Sequence, residues 1–238
     1  MIGYETLDDP RADPIAVRRS LADIVRLNAV FGGTRAVVEA LDPYLKQAGA
    51  RWTLLDVGAG SGDIARAAVR VARRRGIDIM PVGIDLNRTA AQEARAGGMS
   101  MIVADGSRLP LGPGSVDIVV ASQVLHHLPR AVAIRWIAGF DRLARRAVVL
   151  ADLRRSRVAM AGVWLASFPL ALNRATRRDA VVSLRRGYTP GEFNAMLREA
   201  GVSAVARCRP GFRIVAAWET AAISRQPSAK PSPLTADS

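Results

Sequence analysis

The stretch Thr53 to Ala65, Thr-Leu-Leu-Asp-Val-Gly-Ala-Gly-Ser-Gly-Asp-Ile-Ala, limits what this chain can fold into more than any other. Thr53, Leu54, Leu55 and Val57 are strand formers around one acid, Asp56, and they lead straight into Gly58, Gly60 and Gly62 before a helical pattern begins. This is the pattern of a buried parallel strand, a tight turn and a helix N-terminus. Glycines at alternate positions let a ligand approach the backbone without a Cβ in the way, and the new helix offers unpaired N–H groups. A dinucleotide fingerprint would place its third glycine where Asp63 stands. A pyrophosphate would also meet the carboxylates of Asp56 and Asp63, so the pattern favours a cationic ligand over an anionic one.

The following segments repeat the theme. A second strand over Ile79 to Leu86 ends in Asp85, a helix covers Asn87 to Ala96 and stops at Gly97-Gly98, and a third strand over Met99 to Ala104 delivers Asp105-Gly106. Taken singly, Asp85 also suits a nicotinamide-binding protein, and Asp-Gly is a common turn. Three successive strand ends carrying Asp56, Asp85 and Asp105 fall where open α/β sheets bind their ligands. A loop from Leu109 to Ser115 then precedes a fourth strand, Val116 to Ser122, and the run Gln123-Val-Leu-His126-His127-Leu-Pro129.

Asp56-x-Gly58-x-Gly60-x-Gly62 resembles motif I of the class I S-adenosylmethionine (SAM) methyltransferases, of the Methyltransferase-11/12 type. The loop, strand and histidine run resemble the matching part of small-molecule members, so the likeness extends from about Arg51 to Asp152. It implies an α/β, Rossmann-like fold: a seven-stranded, mostly parallel sheet with an antiparallel last strand, helices on both faces and an N-terminal helical cap over residues 1–50. The SAM-binding domain would span 51–223, with an acceptor-specific insertion at about 153–187. The resemblance further implies a SAM site, releasing S-adenosylhomocysteine, on Asp56, Gly58, Ala59, Gly60 and Gly62. Asp85 would accept from the ribose hydroxyls and Asp105 from the adenine amino group, with Leu86, Gly106 and Ser122 also part of the site.

The flanks are read from their own patterns. Asp13-Pro14 caps a helix whose Val17, Leu21, Ile24, Asn28 and Phe31 share one face, and Gly32-Gly33 separates it from a second helix over Thr34 to Gln47. Residues Asn28 to Arg35 resemble the opening segment of ubiquinone and menaquinone methyltransferases. The helix after motif I ends in Arg73-Arg74-Arg75-Gly76, a cationic stop. A helix over Arg130 to Leu143 leads to a fifth strand, Ala147 to Ala151, and Thr189-Pro190 starts the last helix. Val202 to Cys208 and Phe212 to Trp218 form a closing strand pair, and the Ser/Pro-rich residues 224–238 are expected to be disordered.

Composition narrows the partners. The net charge is +13 and all but two of the 34 basic residues are arginine, the lysines being Lys46 and Lys230. Eleven arginines face only Asp152 and Asp179 between Arg142 and Arg186, enough for a phosphate-binding surface and hence a nucleic-acid-binding alternative. Against it, Ala121-Ser122-Gln123-Val124 lacks the Asn/Asp-Pro-Pro-aromatic signature of base-amine methyltransferases, and 5% aromatic content leaves few stacking platforms. One cysteine, Cys208, excludes an internal disulfide, and the polar opening Tyr4 to Asp13 lacks the form of a secretory leader. A cytoplasmic location follows as the expectation.

Methyl transfer is a single displacement, so alignment and a dry pocket carry much of the rate, and a base matters where the acceptor is a hydroxyl. His126 and His127 are the only histidines, placed just after strand four where that base would stand; the alternative is that they line or support the pocket. Adjacent residues are poorly spaced for shared metal ligation, so no metal is expected. Residues Thr176 to Pro190 resemble a segment of bacterial methyltransferases of polyketide-type phenols and quinones. That likeness implies a small hydrophobic aromatic acceptor, methylated on oxygen or, through an activated phenolate, on carbon. Val158 to Leu172 is apolar on every side, with Pro169 expected to split it into two short helices. The domain itself, a second subunit, a lipophilic acceptor or a membrane surface must cover it; a lid with Trp164 and Phe168 over the acceptor is the favoured expectation.

Overall fold

The computed structural model describes residues 4–106, 109 and 111–220, so the expected tail at 224–238 lies outside the described residues. Among these residues seven strands form one sheet: β1 (Arg51–Val57), β2 (Asp78–Asp85), β3 (Ser100–Val103), β4 (Val116–Ser122), β5 (Ala144–Leu153), β6 (Arg207–Arg209) and β7 (Arg213–Glu219). Their order is β3-β2-β1-β4-β5-β7-β6. The first five run parallel, while β7 is antiparallel to both β5 and β6. The chain doubles back across the sheet between β1 and β4, which opens a crevice at their carboxyl ends.

Among the described residues eight α-helices accompany the sheet: α1 (Pro14–Val30), α2 (Gly33–Leu41), α3 (Asp63–Arg74), α4 (Arg88–Ala96), α5 (Arg130–Leu143), α6 (Arg157–Ala166), α7 (Arg174–Arg186) and α8 (Pro190–Glu199). Alternation along the strands divides the core in two, because side chains of a strand point to opposite faces in turn. Leu54, Ile118, Val120 and Val149 pack on one face with Val37 and Leu41 of α2 and Ile64, Ala65 and Ala68 of α3. Leu55, Val119, Ala121 and Leu150 pack on the other with Ile137 and Phe140 of α5 and Phe193 and Met196 of α8. Both faces are therefore covered, as a parallel sheet requires.

Caps follow the residue types. Asp13 accepts from Ala16 N (2.8 Å), with Pro14 at the first helical position. Asn87 accepts from Thr89 N (2.9 Å), and Thr189 and Glu192 form a capping box.

The fifth strand runs over Ala144–Leu153, beyond the expected Ala147 to Ala151 at both ends, and three further differences from the sequence expectation have a local cause. The second helix ends at Leu41 and not at Gln47, since Pro43 has no N–H to continue the ladder and the chain passes into a 3-10 turn, Asp42–Tyr44. The closing hairpin is shorter on its first side: only Arg207–Arg209 pairs with β7, and Ala206 N donates instead to Asn194 Oδ1 of α8 (2.8 Å). The apolar segment holds one helix, α6, and not two. After Ala166 the chain turns, with Ser167 Oγ donating to Trp164 O (2.5 Å) and Ala171 at φ +49°, until Asn173 caps α7.

Candidate active site

The carboxyl end of β1 carries Asp56 into the crevice, where it is almost fully buried, and one of its oxygens, Oδ2, has no hydrogen-bond partner among the described residues. Burial, reinforced by the charges of Asp63 and Asp85, pushes its pKa up to about 7. Beyond it the chain turns on Gly58 (φ +72°) and Gly60 (φ +54°), conformations that glycine adopts without strain. A Cβ on Gly58 would lie 2.7 Å from Val124 Cγ2, so the turn also packs against the segment that follows β4. Asp85, from the end of β2, holds this turn: Oδ2 accepts from Gly60 N (2.9 Å) and Oδ1 from Asn87 N (2.8 Å). Burial raises the pKa of Asp85, while the amides of Asn87 and Gly60 counter it.

A cavity of about 560 Å³ opens above these residues. Asp56, Gly58, Ala59, Gly60, Asp85, Leu86, Asp105, Gly106 and Ser122 all line it, as do His126 and His127. Gly62 does not. At φ +78° it is the N-cap of α3, and a Cβ there would strike Met99 Sδ at 2.7 Å, so its role is the backbone path and close packing. The other half of the wall is apolar: Leu21, Ile24, Leu27 and Phe31 from α1 and its end, Ala159 and Val163 from α6, and Leu184 from α7. Trp164 and Phe168, expected over the acceptor, are turned outward at 49% and 50% exposure, their rings packed edge to face at 5.0 Å.

The histidines sit in a 3-10 turn, Leu125–His127, whose Leu125 carbonyl accepts from Tyr188 Oη (2.8 Å). Their rings lie 4.2 Å apart. His126 Nδ1 pairs with Asp152 Oδ1 at 2.6 Å, and the same carboxylate accepts from Leu153 N (2.7 Å). Burial pushes the Asp152 carboxyl up, and the charge and hydrogen bond of His126 outweigh it, leaving it below the usual range. His126 Nε2 is buried without a hydrogen-bond partner among the described residues, in a side chain that lines the cavity. His127 Nδ1 pairs with Asp8 at 2.6 Å, and Arg186 binds both Asp8 (2.9 Å) and Glu5 (3.2 Å). Burial would raise the Asp8 carboxyl, but the His127 hydrogen bond, the Glu5 amide and Arg186 hold it well below the usual carboxylate range.

This geometry corrects one expectation: the two histidines do gain a third potential ligand. Glu5, His126 and His127 each place one ligand-capable atom within 4.8 Å of the others. The positive charge of that cluster is already supplied by Arg186, bound to Glu5 and Asp8.

Several lining residues escape a sequence reading. Gln123, at φ +56°, donates to Asn28 Oδ1 (2.7 Å) and accepts from Arg213 (2.8 Å), and Asn28 Nδ2 reaches Asp63 (3.3 Å). Burial lowers the Arg213 guanidinium to about 10. The only advance signal was Asn28, a polar residue on the apolar face of α1.

The strand order, the antiparallel β7 and the acidic strand ends define the class: a Rossmann-like α/β protein whose ligand crevice lies at the point where the strand order reverses. Residues 55–146 match the family described as "Methyltransferase domain". An uncharacterized methyltransferase of Mycobacterium ulcerans (strain Agy99) is 44% identical over 93 residues, which cover 38% of this chain and 33% of that protein. The chain thus spans about a third of the length of the mycobacterial relatives it matches (29% and 33%). A ubiquinone/menaquinone biosynthesis C-methyltransferase of Methylobacterium nodulans is 29% identical over 219 residues, covering 84% and 86% of the two chains. Among solved structures, the magnesium protoporphyrin IX methyltransferase of Synechocystis PCC 6803 with bound SAM shares the fold, with a TM-score of 0.50, 15% identity and 79% and 80% coverage. Residues 55–146 thus resemble a methyltransferase domain, and the fold as a whole is shared with a protein crystallised with SAM. The crevice of this chain suits that cofactor, because the unpartnered buried oxygen of Asp56 calls for a cation and the bare backbone at Gly58 and Gly60 admits a close ligand.

Proposed function

We propose that this protein transfers the methyl group of SAM to a small hydrophobic aromatic acceptor, by O-methylation of a phenol, quinol or polyketide-type hydroxyl in cytoplasmic secondary metabolism. When bound, SAM supplies an electrophilic methyl on a sulfonium. Asp56 would hold its ammonium, Gly58 and Gly60 would admit it against the backbone, Asp85 would accept from the ribose, and Asp105 would stand at the adenine. The acceptor would lie against the apolar wall of α1, α6 and α7. There the low dielectric and the exclusion of water strengthen every polar contact at the reacting oxygen.

The observation that carries the acceptor side is the pair Asp152–His126. A carboxylate on Nδ1 fixes the ring and its tautomer, leaving Nε2 to take a proton from a hydroxyl in the cavity. Nε2 would take the proton of the acceptor hydroxyl and so free an oxygen lone pair for the new O–C bond; SAM, when bound, would supply the methyl, its C–S bonding pair staying on sulfur as neutral S-adenosylhomocysteine. His127, tied to Asp8 and beside Arg186, would line and shape the pocket.

A second reading has its own support. The relative that aligns over 84% of this chain is named as a C-methyltransferase, and the same base would generate a phenolate that reacts at ring carbon. Turnover of labelled SAM against a panel of phenols, catechols and quinols tests both, with the product's methyl position read by NMR. Absence of transfer to any hydroxylated aromatic, with SAM bound, would overturn the acceptor class.

A further inference from the structure

The geometry points to a membrane-docking face: we propose that the outer side of α6 and the turn after it rest in the headgroup layer of an anionic bilayer, and that a lipophilic acceptor reaches the cavity from there. The inference rests on the reading of the cavity as a hydrophobic acceptor site.

Helix α6 has two sides with different duties. Ala159 and Val163 are buried and line the cavity. On the opposite side Val158 (71%), Trp164 (49%), Leu165 (62%) and Phe168 (50%) are exposed. A single surface leucine needs no explanation, but four large apolar groups on one helix and its turn form a patch. Trp164 and Phe168 are locked edge to face at 5.0 Å, so the patch is a preformed wedge.

The charge around the wedge selects the occupant. Between Leu153 and Arg186 the sequence holds eight arginines, of which Arg155 pairs with Glu192 and Arg186 sits in the cavity on Glu5 and Asp8, and one acid, Asp179. That acid is buried and committed to Thr6 and Arg178. Arg177 lies over the Phe168 ring at 4.1 Å, and Arg157 and Arg174 are exposed at the starts of α6 and α7. A ring of arginine around tryptophan, phenylalanine and leucine fits an anionic lipid surface, with the guanidinium groups among phosphates and the rings at the acyl boundary. A second copy meeting the same patch would set arginine against arginine, a like-charge contact that isologous pairing cannot avoid. No helix among the described residues is long and apolar enough to cross a membrane, so the contact is interfacial.

Trp164 also provides the readout. Trp52 and Trp218 are buried and Trp136 is half-buried, so of the four tryptophans Trp164 alone is exposed. The experiment uses the full chain with vesicles of phosphatidylcholine alone or mixed with phosphatidylglycerol, some carrying brominated acyl chains. We expect sedimentation with the anionic vesicles only, and quenching of tryptophan emission by the brominated chains that disappears in Trp164→Phe. The triple change Trp164→Ser, Leu165→Ser, Phe168→Ser should cut vesicle partitioning at least about tenfold, with thermal stability, SAM affinity and turnover of a short water-soluble phenol unchanged. Arg157→Glu with Arg174→Glu should weaken binding to the anionic vesicles while leaving turnover intact. Equal partitioning of the triple variant, or a concentration-dependent dimer that buries Trp164, overturns the proposal. Loss of SAM binding or of all turnover in the wild type would count against the methyltransferase reading alone, because vesicle binding is measured without either.

Discussion

The cavity has two halves built by opposite means. The cofactor half comes from consecutive pieces of chain: Asp56 and Gly60 at the end of β1 and Asp85 at the end of β2, joined by a hydrogen bond across 25 residues. The acceptor half is assembled across the whole chain, His127 meeting Asp8 across 119 residues and Ser183 meeting Glu5 across 178. The first is a local device that recurs wherever a strand, a glycine turn and a helix follow each other. The second exists only once the sheet has folded and brought α1 and α7 together. The cofactor half should therefore tolerate changes in the acceptor half.

The largest effect is expected from the pair behind the proposed base. His126→Ala and Asp152→Asn should each lower turnover by roughly 100- to 10,000-fold, with SAM affinity by calorimetry within about twofold of the wild type. A more acidic phenol should recover part of the loss in His126→Ala. Were SAM affinity to fall in step with turnover, the two halves would not be separable and His126 would be structural.

Arg186→Met is next. It leaves Glu5 and Asp8, both largely buried, without their cation, and breaking such a pair costs about 3 kcal/mol of stability. Chemical denaturation should show that loss, and the acceptor KM should rise while SAM affinity holds.

A pH series sharpens the cofactor side. Asp56 has a folded-state pKa of about 7 against a reference of 3.8, so the native state keeps a proton that the unfolded chain has released. Its contribution to stability is fully present below the unfolded value and is lost as pH rises through about 7. Binding of a cation that needs the ionised carboxylate runs the other way. SAM affinity should climb by up to about tenfold per pH unit below pH 7 and level off above it. Asp56→Asn should flatten this profile, and an unchanged slope in that variant would remove Asp56 as its source.

The smallest effect tests the wall. Val163→Ala removes two methyl groups from the cavity side of α6 and should cost about 1 to 2 kcal/mol of acceptor binding for a ligand that fills the space. SAM binding should not respond.

The same contrast explains what was legible in the sequence. The succession of strands along the chain, the glycine turn and the three acids can be read because each depends on neighbours within a few residues. Glu5 and Asp8 could not, since a polar opening segment carries no mark of the imidazole and guanidinium it will meet. Arg186 looked like one of many surface arginines. The orientation of α6 is unreadable for another reason: a helix apolar on all sides has no polar stripe to show its outer face, so the pattern cannot tell Trp164 and Phe168, which face outward, from Ala159 and Val163, which line the cavity. Gly62 makes room for Met99, and spacing alone cannot tell such a glycine from one that admits a ligand.

The tie between the two ends of the chain carries a consequence for biosynthesis. Asn28 of α1 binds Arg213 of β7, 185 residues later, and a Cβ on Gly211 would overlap the Phe31 carbonyl at 1.7 Å. At ordinary translation speeds α1 emerges roughly ten to forty seconds before its closing strand. During that interval the nascent chain carries an uncovered greasy helix, and the methyl-donor crevice can mature while its companion chamber waits for the ribosome to finish. Chaperone demand should therefore track the first thirty residues, and ribosome-stalled chains ending before β7 should expose α1 to protease while already protecting the glycine turn.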